Sequence, residues 1–448
     1  MIIDVKFLKD LLDSALIKHN IPGLAVAIDY EGQNIFSLGL GTASVTKNRI
    51  VRPDTIFGVA SLTKILTTLI LLKAEEFRLI MLSNSLSNYY PDLRWLHKND
   101  ISLKNLLNHS AGLPGLATRH KAKDLNYPNG NFQIENVTSL VKYLNTIDFK
   151  LLGRPGQLLS YSNESYCLLG GIIEQVFKKP YKSVAEELVL RPLKMRNSFI
   201  GGVRDGGTEN IADPIDFWHN EKRERGNQYW DAPLFYPAGG LMSSATDINK
   251  LVSALCGNSN FLKSDQYNQV AFDPMSIASR PNAKFAYGLG IEIEYICPEK
   301  TLLWHTGQRP GIASFVGQII QDRLSVALLT NVTDAPTSKI GREVFSHLLS
   351  KNDIPVNLFW PPEISNIQFE TKNLDNFVGI YGSQEVGEYK VYLQDGKILM
   401  QFINSTNEML LKKPTSGIVG AQTFKFMFNG DPKPYALALD LRLLRRLK

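Results

Sequence analysis

Ser61 and Lys64 stand three residues apart in the run Ser61-Leu62-Thr63-Lys64. A serine hydroxyl attacks a carbonyl at neutral pH only when a nearby base takes its proton. A lysine whose charge is disfavoured by burial can serve as that base. Residues 65–72 are apolar and rich in helix formers. If Ser61 opens that helix, Lys64 falls one turn on, on the same face. Backbone N–H groups at the helix start would then face a developing oxyanion. The chemistry implied is acyl transfer. Spacing alone is a weak signal, because Ser44/Lys47 and Ser139/Lys142 share it and an N-cap serine before a solvated lysine gives the same string.

Two more groups strengthen the reading. Tyr161-Ser162-Asn163 follows a Gly153–Gly156 loop and precedes an apolar helical run over 164–177. Rigidly presented loop residues are where binding groups usually lie, and a tyrosine beside a lysine can act as a general base. Tyr127-Pro128-Asn129 and Tyr143-Leu144-Asn145 repeat the pattern without that setting. The alternative for Tyr161 is a core tyrosine with a bonded hydroxyl. In His305-Thr306-Gly307 a strand glycine lets a ligand lie alongside. Thr306 can donate a hydrogen bond, and His305 can bind or polarise a carboxylate or carbonyl. His109, in Asn108-His109-Ser110-Ala111-Gly112, is read as a polar residue closing a helix over 101–107 rather than as a base.

The elements that must position these groups follow from periodicity. Residues 4–19 pattern as an amphipathic helix, and 23–30 and 34–40 as a hairpin around Glu31-Gly32-Gln33. Residues 56–60 lead into Ser61 and a helix to about residue 76. Residues 78–250 are mostly helices and loops. They include a long irregular stretch, 201–236, expected to wall a pocket, and the glycine pair of 237–241, expected to permit close backbone approach. Strands return at 285–293, 302–306, 313–320 and 325–331, then a helix at 340–349. One sheet closed by both halves of the chain, with a helical insertion, is the expected α+β architecture.

Residues 1–352 are expected to form this domain, 353–373 a proline-containing linker, and 374–448 a small all-β domain. The last domain shows alternating runs at 378–381, 389–393, 398–402, 409–412, 424–428 and 437–443, with a hairpin turn at Asp395-Gly396. No catalytic cluster is read in it. Arg442, Arg445, Arg446 and Lys448 are read as a solvated end.

Composition is that of a globular chain, 44% hydrophobic and 21% charged. Its net charge of +6 is spread without a basic stripe interleaved with aromatics, which argues against nucleic-acid binding. Three scattered cysteines without a Cys-x-x-Cys pair argue against a disulfide scaffold and for buried thiols in a reducing compartment. The histidines form no ligand pair, so no metal and no cofactor is expected. Charges interrupt the N-terminal apolar runs and no stretch reaches membrane-span length. A cytoplasmic location is expected, and the oligomeric state is left open.

Ser61-Leu62-Thr63-Lys64, Tyr161-Ser162-Asn163 and His305-Thr306-Gly307 together resemble the three motifs of the serine β-lactamase and penicillin-binding-protein superfamily. The tyrosine-type middle motif, with residues 106–114 and 237–247, is similar to the class C β-lactamase, esterase and D-aminopeptidase branch. The final β domain resembles the lipocalin-like domain appended to several such enzymes. The fold implied is a β-lactamase/transpeptidase-like antiparallel sheet flanked by helices with an all-α subdomain, plus a lipocalin-like barrel. The resemblance implies that Ser61 is acylated and that Lys64 and Tyr161 share the base work. It implies that Asn163 holds the substrate amide, that Ser61 and Gln308 supply oxyanion N–H groups, and that His305, Thr306 and Gly307 line the substrate. His305 stands where penicillin-recognising members have lysine. Because histidine is mostly neutral at pH 7, a small amide or ester, of D-amino-acid peptide or ester type, is the expected substrate. A β-lactamase or promiscuous carboxylesterase is the alternative, and a non-catalytic sensor of penicillin or cell-wall fragments is the alternative from another class.

Overall fold

Asp4 caps the first helix, α1 (Val5–Lys18), by accepting from the Phe7 N–H, and Leu8, Leu12 and Ala15 form its buried face. The computed structural model describes residues 2–448 apart from 45–46, 95, 97–98, 117, 119–120, 123–133, 148–149, 203–209, 219–220, 225–230, 258–260, 264–274, 277–284, 351–372, 404 and 421. The expected linker therefore lies almost wholly outside the described residues, as do Tyr127-Pro128-Asn129 and much of 201–236.

The expected hairpin is β1 (Gly23–Tyr30) and β2 (Gln33–Ser44), followed by a short β3 (Arg49–Ile50). Strands from the other end of the chain complete the sheet. They are β4 (Met275–Ser276), β5 (Phe285–Tyr287), β6 (Glu292–Cys297), β7 (Lys300–Arg309), β8 (Ile312–Ile319) and β9 (Leu324–Thr330). Their order is β3-β2-β1-β9-β8-β7-β6-β5-β4. β1 meets β9 antiparallel from Leu24↔Thr330 to Tyr30↔Leu324. The two halves of the chain thus close one sheet.

The sequence pattern runs 285–293 as one strand, but the chain doubles back within it. β5 and β6 pair with each other, Tyr287 opposite Glu292. Gly290 makes the turn at φ 72°, where a Cβ would sit 2.3 Å from Thr68 Oγ1. Alternating apolar residues cannot report such a reversal.

β8 and β9 are buried along their whole length, as strands covered on both faces must be. One face carries α1 and α5 (Thr337–Ser350) around Leu8, Phe315, Val344 and Phe345. The other carries α2 (Thr63–Glu76), α3 (Asn163–Phe177) and α4 (Ala245–Leu255) in the larger core. In α2, eleven residues from Thr63 to Ala74 are buried. A helix apolar all round belongs inside.

The C-terminal strands between Gly379 and Arg446 form a closed eight-stranded antiparallel barrel, which removes free sheet edges. Closure comes from Tyr381↔Arg446 and Gly382↔Arg445. Phe377, Tyr381, Phe424 and Phe426 fill its interior. Asp395 and Gly396 form the expected tight turn, both at positive φ. The run 437–443 is two strands, Ala436–Leu439 and Arg442–Arg446, broken at Asp440 with φ 45°. Ser416–Val419 is a further strand that sequence patterning missed.

Candidate active site

Ser61 lies in a single 3₁₀ turn, Ala60–Leu62, and the α-helix proper starts at Thr63. Ala60, just before it, has φ 47°, a strained region for a residue with a Cβ. The surroundings hold the turn from both sides. Thr63 Oγ1 donates to Ala60 O at 2.6 Å and accepts from Leu241 N at 3.0 Å. Ser314 Oγ, on β8, donates to Val59 O at 2.9 Å. β7 passes so close that a Cβ at Gly307 would lie 2.1 Å from Val59 O and 3.1 Å from Ser61 N. The side chain of Ser61 remains half-buried rather than enclosed.

Lys64 is fully buried. Its Nζ donates to Ser61 Oγ at 3.3 Å, Asn163 Oδ1 at 2.9 Å and Ala238 O at 2.8 Å. None of these acceptors is a carboxylate. Burial disfavours the ammonium and brings the Lys64 pKa down to about 7, with the Arg442 charge adding to the fall. Ala238 belongs to the glycine-paired segment 237–241, and the close approach expected there is made by its carbonyl. Pro237 O likewise accepts from Thr67 Oγ1 at 2.6 Å.

Tyr161 and Asn163 enter from the loop before α3, which Ser162 caps by accepting from Ser165 N. The Tyr161 ring lies 4.8 Å from Lys64 Nζ. Burial raises its pKa, while the Ser61 hydroxyl and Arg442 work in the opposite direction. Its Oη is buried without a hydrogen bond of normal geometry among the described residues. The His109 ring packs on Tyr161 with centroids 4.2 Å apart, and His109 Nδ1 accepts from Ser162 N at 3.2 Å. Burial pushes its pKa well down. His109 therefore supports the tyrosine loop as a neutral ring, and Asn108 terminates the helix Leu103–Leu107.

His305 departs from the substrate-facing part expected of it. It is buried, with Nδ1 on Thr306 O at 2.6 Å and Nε2 on Tyr287 Oη at 3.0 Å. A carbonyl only accepts, so Nδ1 carries the proton and Nε2 accepts from the tyrosine. Burial lowers its pKa to about 3. Both nitrogens are engaged and the ring is neutral, so it offers no cation to a carboxylate. Thr306 and Gln308 line a cleft of about 350 Å³ between β7 and the barrel.

The other serine–lysine pairs are local structure. Ser44 Oγ accepts from Lys47 N, and Ser139 shares a capping box with Asn136.

Sequence reading missed two residues of the site, both from the barrel. Glu385 Oε1 accepts from Asn163 Nδ2 at 3.3 Å. Arg442 donates to both Glu385 oxygens, at 2.8 and 3.1 Å, and its guanidinium lies 5.2 Å from the centre of the Tyr161 ring. The Tyr161 N–H donates to Leu441 O at 2.8 Å. Arg445 donates to Lys150 O and Leu151 O, and Arg446 to Asn376 O. Arg442 and Arg445 thus reach the Tyr161 loop and residues 150–151 rather than solvent, Arg446 bonds within the C-terminal unit, and Lys448 is exposed as expected. An arginine-rich final strand carries no local sign of which surface it meets.

Among the described residues no His/Cys/Asp/Glu cluster has a metal-binding arrangement, and no helix is long and apolar enough to cross a membrane. Known proteins share both the sequence pattern and the fold. Protein flp of Staphylococcus aureus (strain N315) is 25% identical over 345 residues, 74% of this chain and 64% of its own length. The chain thus spans less than two thirds of that relative. The structure titled "Crystal structure of SurE" superposes with a TM-score of 0.75 at 19% identity, covering 99% of each chain. An octameric penicillin-binding protein homologue from Pyrococcus abyssi gives a TM-score of 0.69 at 19% identity, over 99% of this chain and 100% of that one. These two full-length likenesses include the barrel and show the fold. The Beta-lactamase family model matches residues 8–348, and the chain belongs to the β-lactamase family.

Proposed function

We propose that this protein is a serine hydrolase that forms an acyl-enzyme on Ser61 and cleaves a small amide or ester, of D-amino-acid peptide or ester type. The observation that carries this reading is the buried Lys64 amine on Ser61 Oγ at 3.3 Å, with only neutral acceptors around it. A lysine so placed is partly neutral near pH 7 and can take the serine proton. Ser61 Oγ attacks the carbonyl carbon as its proton passes to the neutral Lys64 amine; Tyr161 shares that work only in its phenolate form, which burial disfavours and Arg442 favours. The resulting oxyanion is held by the N–H groups of Ser61 and Gln308. The leaving amine or alcohol takes the proton back, and water then hydrolyses the ester on Ser61. Asn163 orients Lys64 and the substrate amide, and Thr306 and Gly307 form the wall beside it. The neutral, fully engaged His305 favours peptide or ester substrates over β-lactams, whose carboxylate calls for a fixed cation. Residues 1–352 form the hydrolase domain and residues 374–448 a lipocalin-like domain, with residues 353–373 as the linker between them.

The test is covalent labelling with a fluorophosphonate, read by intact mass spectrometry. One adduct on wild type and none on Ser61→Ala is expected; equal labelling of Ser61→Ala would remove the nucleophile assignment. Rates on p-nitrophenyl esters, D-alanyl anilides and nitrocefin then set the substrate class. A nitrocefin rate far above the other two would favour a β-lactamase, and no turnover of any would favour a sensor.

A further inference from the structure

We propose that Glu385 and Arg442 of the barrel are positioning residues of the acylation centre, the glutamate bonded to the Asn163 amide and the arginine held over the Tyr161 ring. This rests on the acyl-enzyme reading given above. Three independent contacts put the pair there. Asn163 bonds Lys64 with its oxygen and Glu385 with its nitrogen, so it relays the barrel to the base. Arg442 is fixed by two bonds to Glu385 and faces Tyr161 at 5.2 Å. The peptide of Tyr161 is itself bonded to Leu441, the residue before Arg442.

The two charges act oppositely on the same groups. A cation near Lys64 and Tyr161 favours loss of their protons, and an anion opposes it. Both effects are present in the structure: Arg442 lowers, and Glu385 raises, the proton affinity of Lys64 and of Tyr161. Other groups face this centre. Cys167, Glu164 and Tyr166 do so from α3, Tyr287 from β5 and Glu292 from β6. His109 and His305 pack on Tyr161 as neutral rings. Glu164 is the one that titrates near neutrality, its carboxyl raised to about 7 by burial. Glu385 adds to that rise, so Glu164→Gln introduced beside each variant separates its contribution.

A barrel that merely covers the site would respond in the same sense to loss of either charge. A positioning pair gives opposite signs. The experiment follows the rate of fluorophosphonate labelling of Ser61 against pH in the full-length protein. For unit charges about 5–6 Å from a buried amine at an effective dielectric of about 20, a shift of about two pH units is expected. Arg442→Gln should move the acidic limb up by that amount, and Glu385→Gln should move it down. Arg442→Lys should restore the wild-type limb, and the double variant should lie near it. Limbs that shift together, or do not shift while all variants still label at Ser61, overturn the proposal. Wild type that fails to label at Ser61 instead overturns the acyl-enzyme reading on which it rests. A melting curve on each variant identifies any that has unfolded, and Arg442→Lys then carries the comparison with Glu385→Gln.

Discussion

Replacing Gly307 by alanine should slow acylation of Ser61 far more than it destabilises the protein. A Cβ there would lie 2.1 Å from Val59 O, 2.4 Å from Ser314 Oγ and 3.1 Å from Ser61 N. Two of the three are backbone atoms and cannot rotate away. The strand must retreat by about 1 Å from the turn that carries the serine, and a misplacement of that size can cost about 10²-fold in rate. Overpacking costs about 1–3 kcal/mol of stability, and loss of the Ser314–Val59 bond, now 2.9 Å, about 1 kcal/mol more. Gly317→Ala is the matched control. It lies on β8, where a Cβ would meet Phe345 and Leu302 side chains at 3.0 and 3.1 Å, away from Ser61. Fluorophosphonate labelling rates and thermal melts of both variants are the assay. Gly307→Ala should lose about 10²-fold in labelling, while Gly317→Ala loses stability alone. If Gly307→Ala melts lower yet labels at the wild-type rate, the approach of β7 does not set the reactivity of Ser61.

Two further outcomes test the base and the rejected serines. Because the Lys64 pKa is lowered to about 7, the amine is protonated and inactive below that pH. Labelling should rise about tenfold per pH unit up to about 7 and then level off, and Lys64→Ala should lose about 10²–10⁴-fold together with that limb. A limb unchanged in Lys64→Ala would assign it to another group. Ser44→Ala and Ser139→Ala should both label like wild type. Ser139→Ala should also melt lower by an amount equivalent to about 1 kcal/mol, since it removes half of a capping box. Loss of labelling in either would mean that more than one serine reacts.

The grouping of Ser61, Lys64 and the tyrosine motif was legible because each sits at a helix start, where cap residues and the following apolar run leave a local pattern. The sheet was legible in outline because β1 and β9 are continuous, strand-length apolar runs. What escaped was long-range or geometric. The Gly290 reversal splits a continuous alternating run, and Asp440 turns without the usual glycine or proline. His305 was given a substrate-facing part because its type suits one. Only the fold shows Tyr287 and the Thr306 carbonyl occupying its nitrogens. Glu385 and Arg442 lie 222 and 281 positions from Asn163 and Tyr161, and no spacing rule links residues at such separations.

The barrel's closing strand, Arg442–Arg446, also fixes the order in which the protein can become competent during synthesis. Ser61 leaves the ribosome early, but its sheet cannot close until β9 emerges to pair with β1. The barrel cannot close until residues 445 and 446 reach Gly382 and Tyr381. Domains generally fold as units as they emerge. Ser61 therefore emerges 269 positions before the end of β9 and 381 before Arg442. A nascent chain stalled before residue 442 would carry the three motifs but lack Arg442 and the strand that closes the barrel.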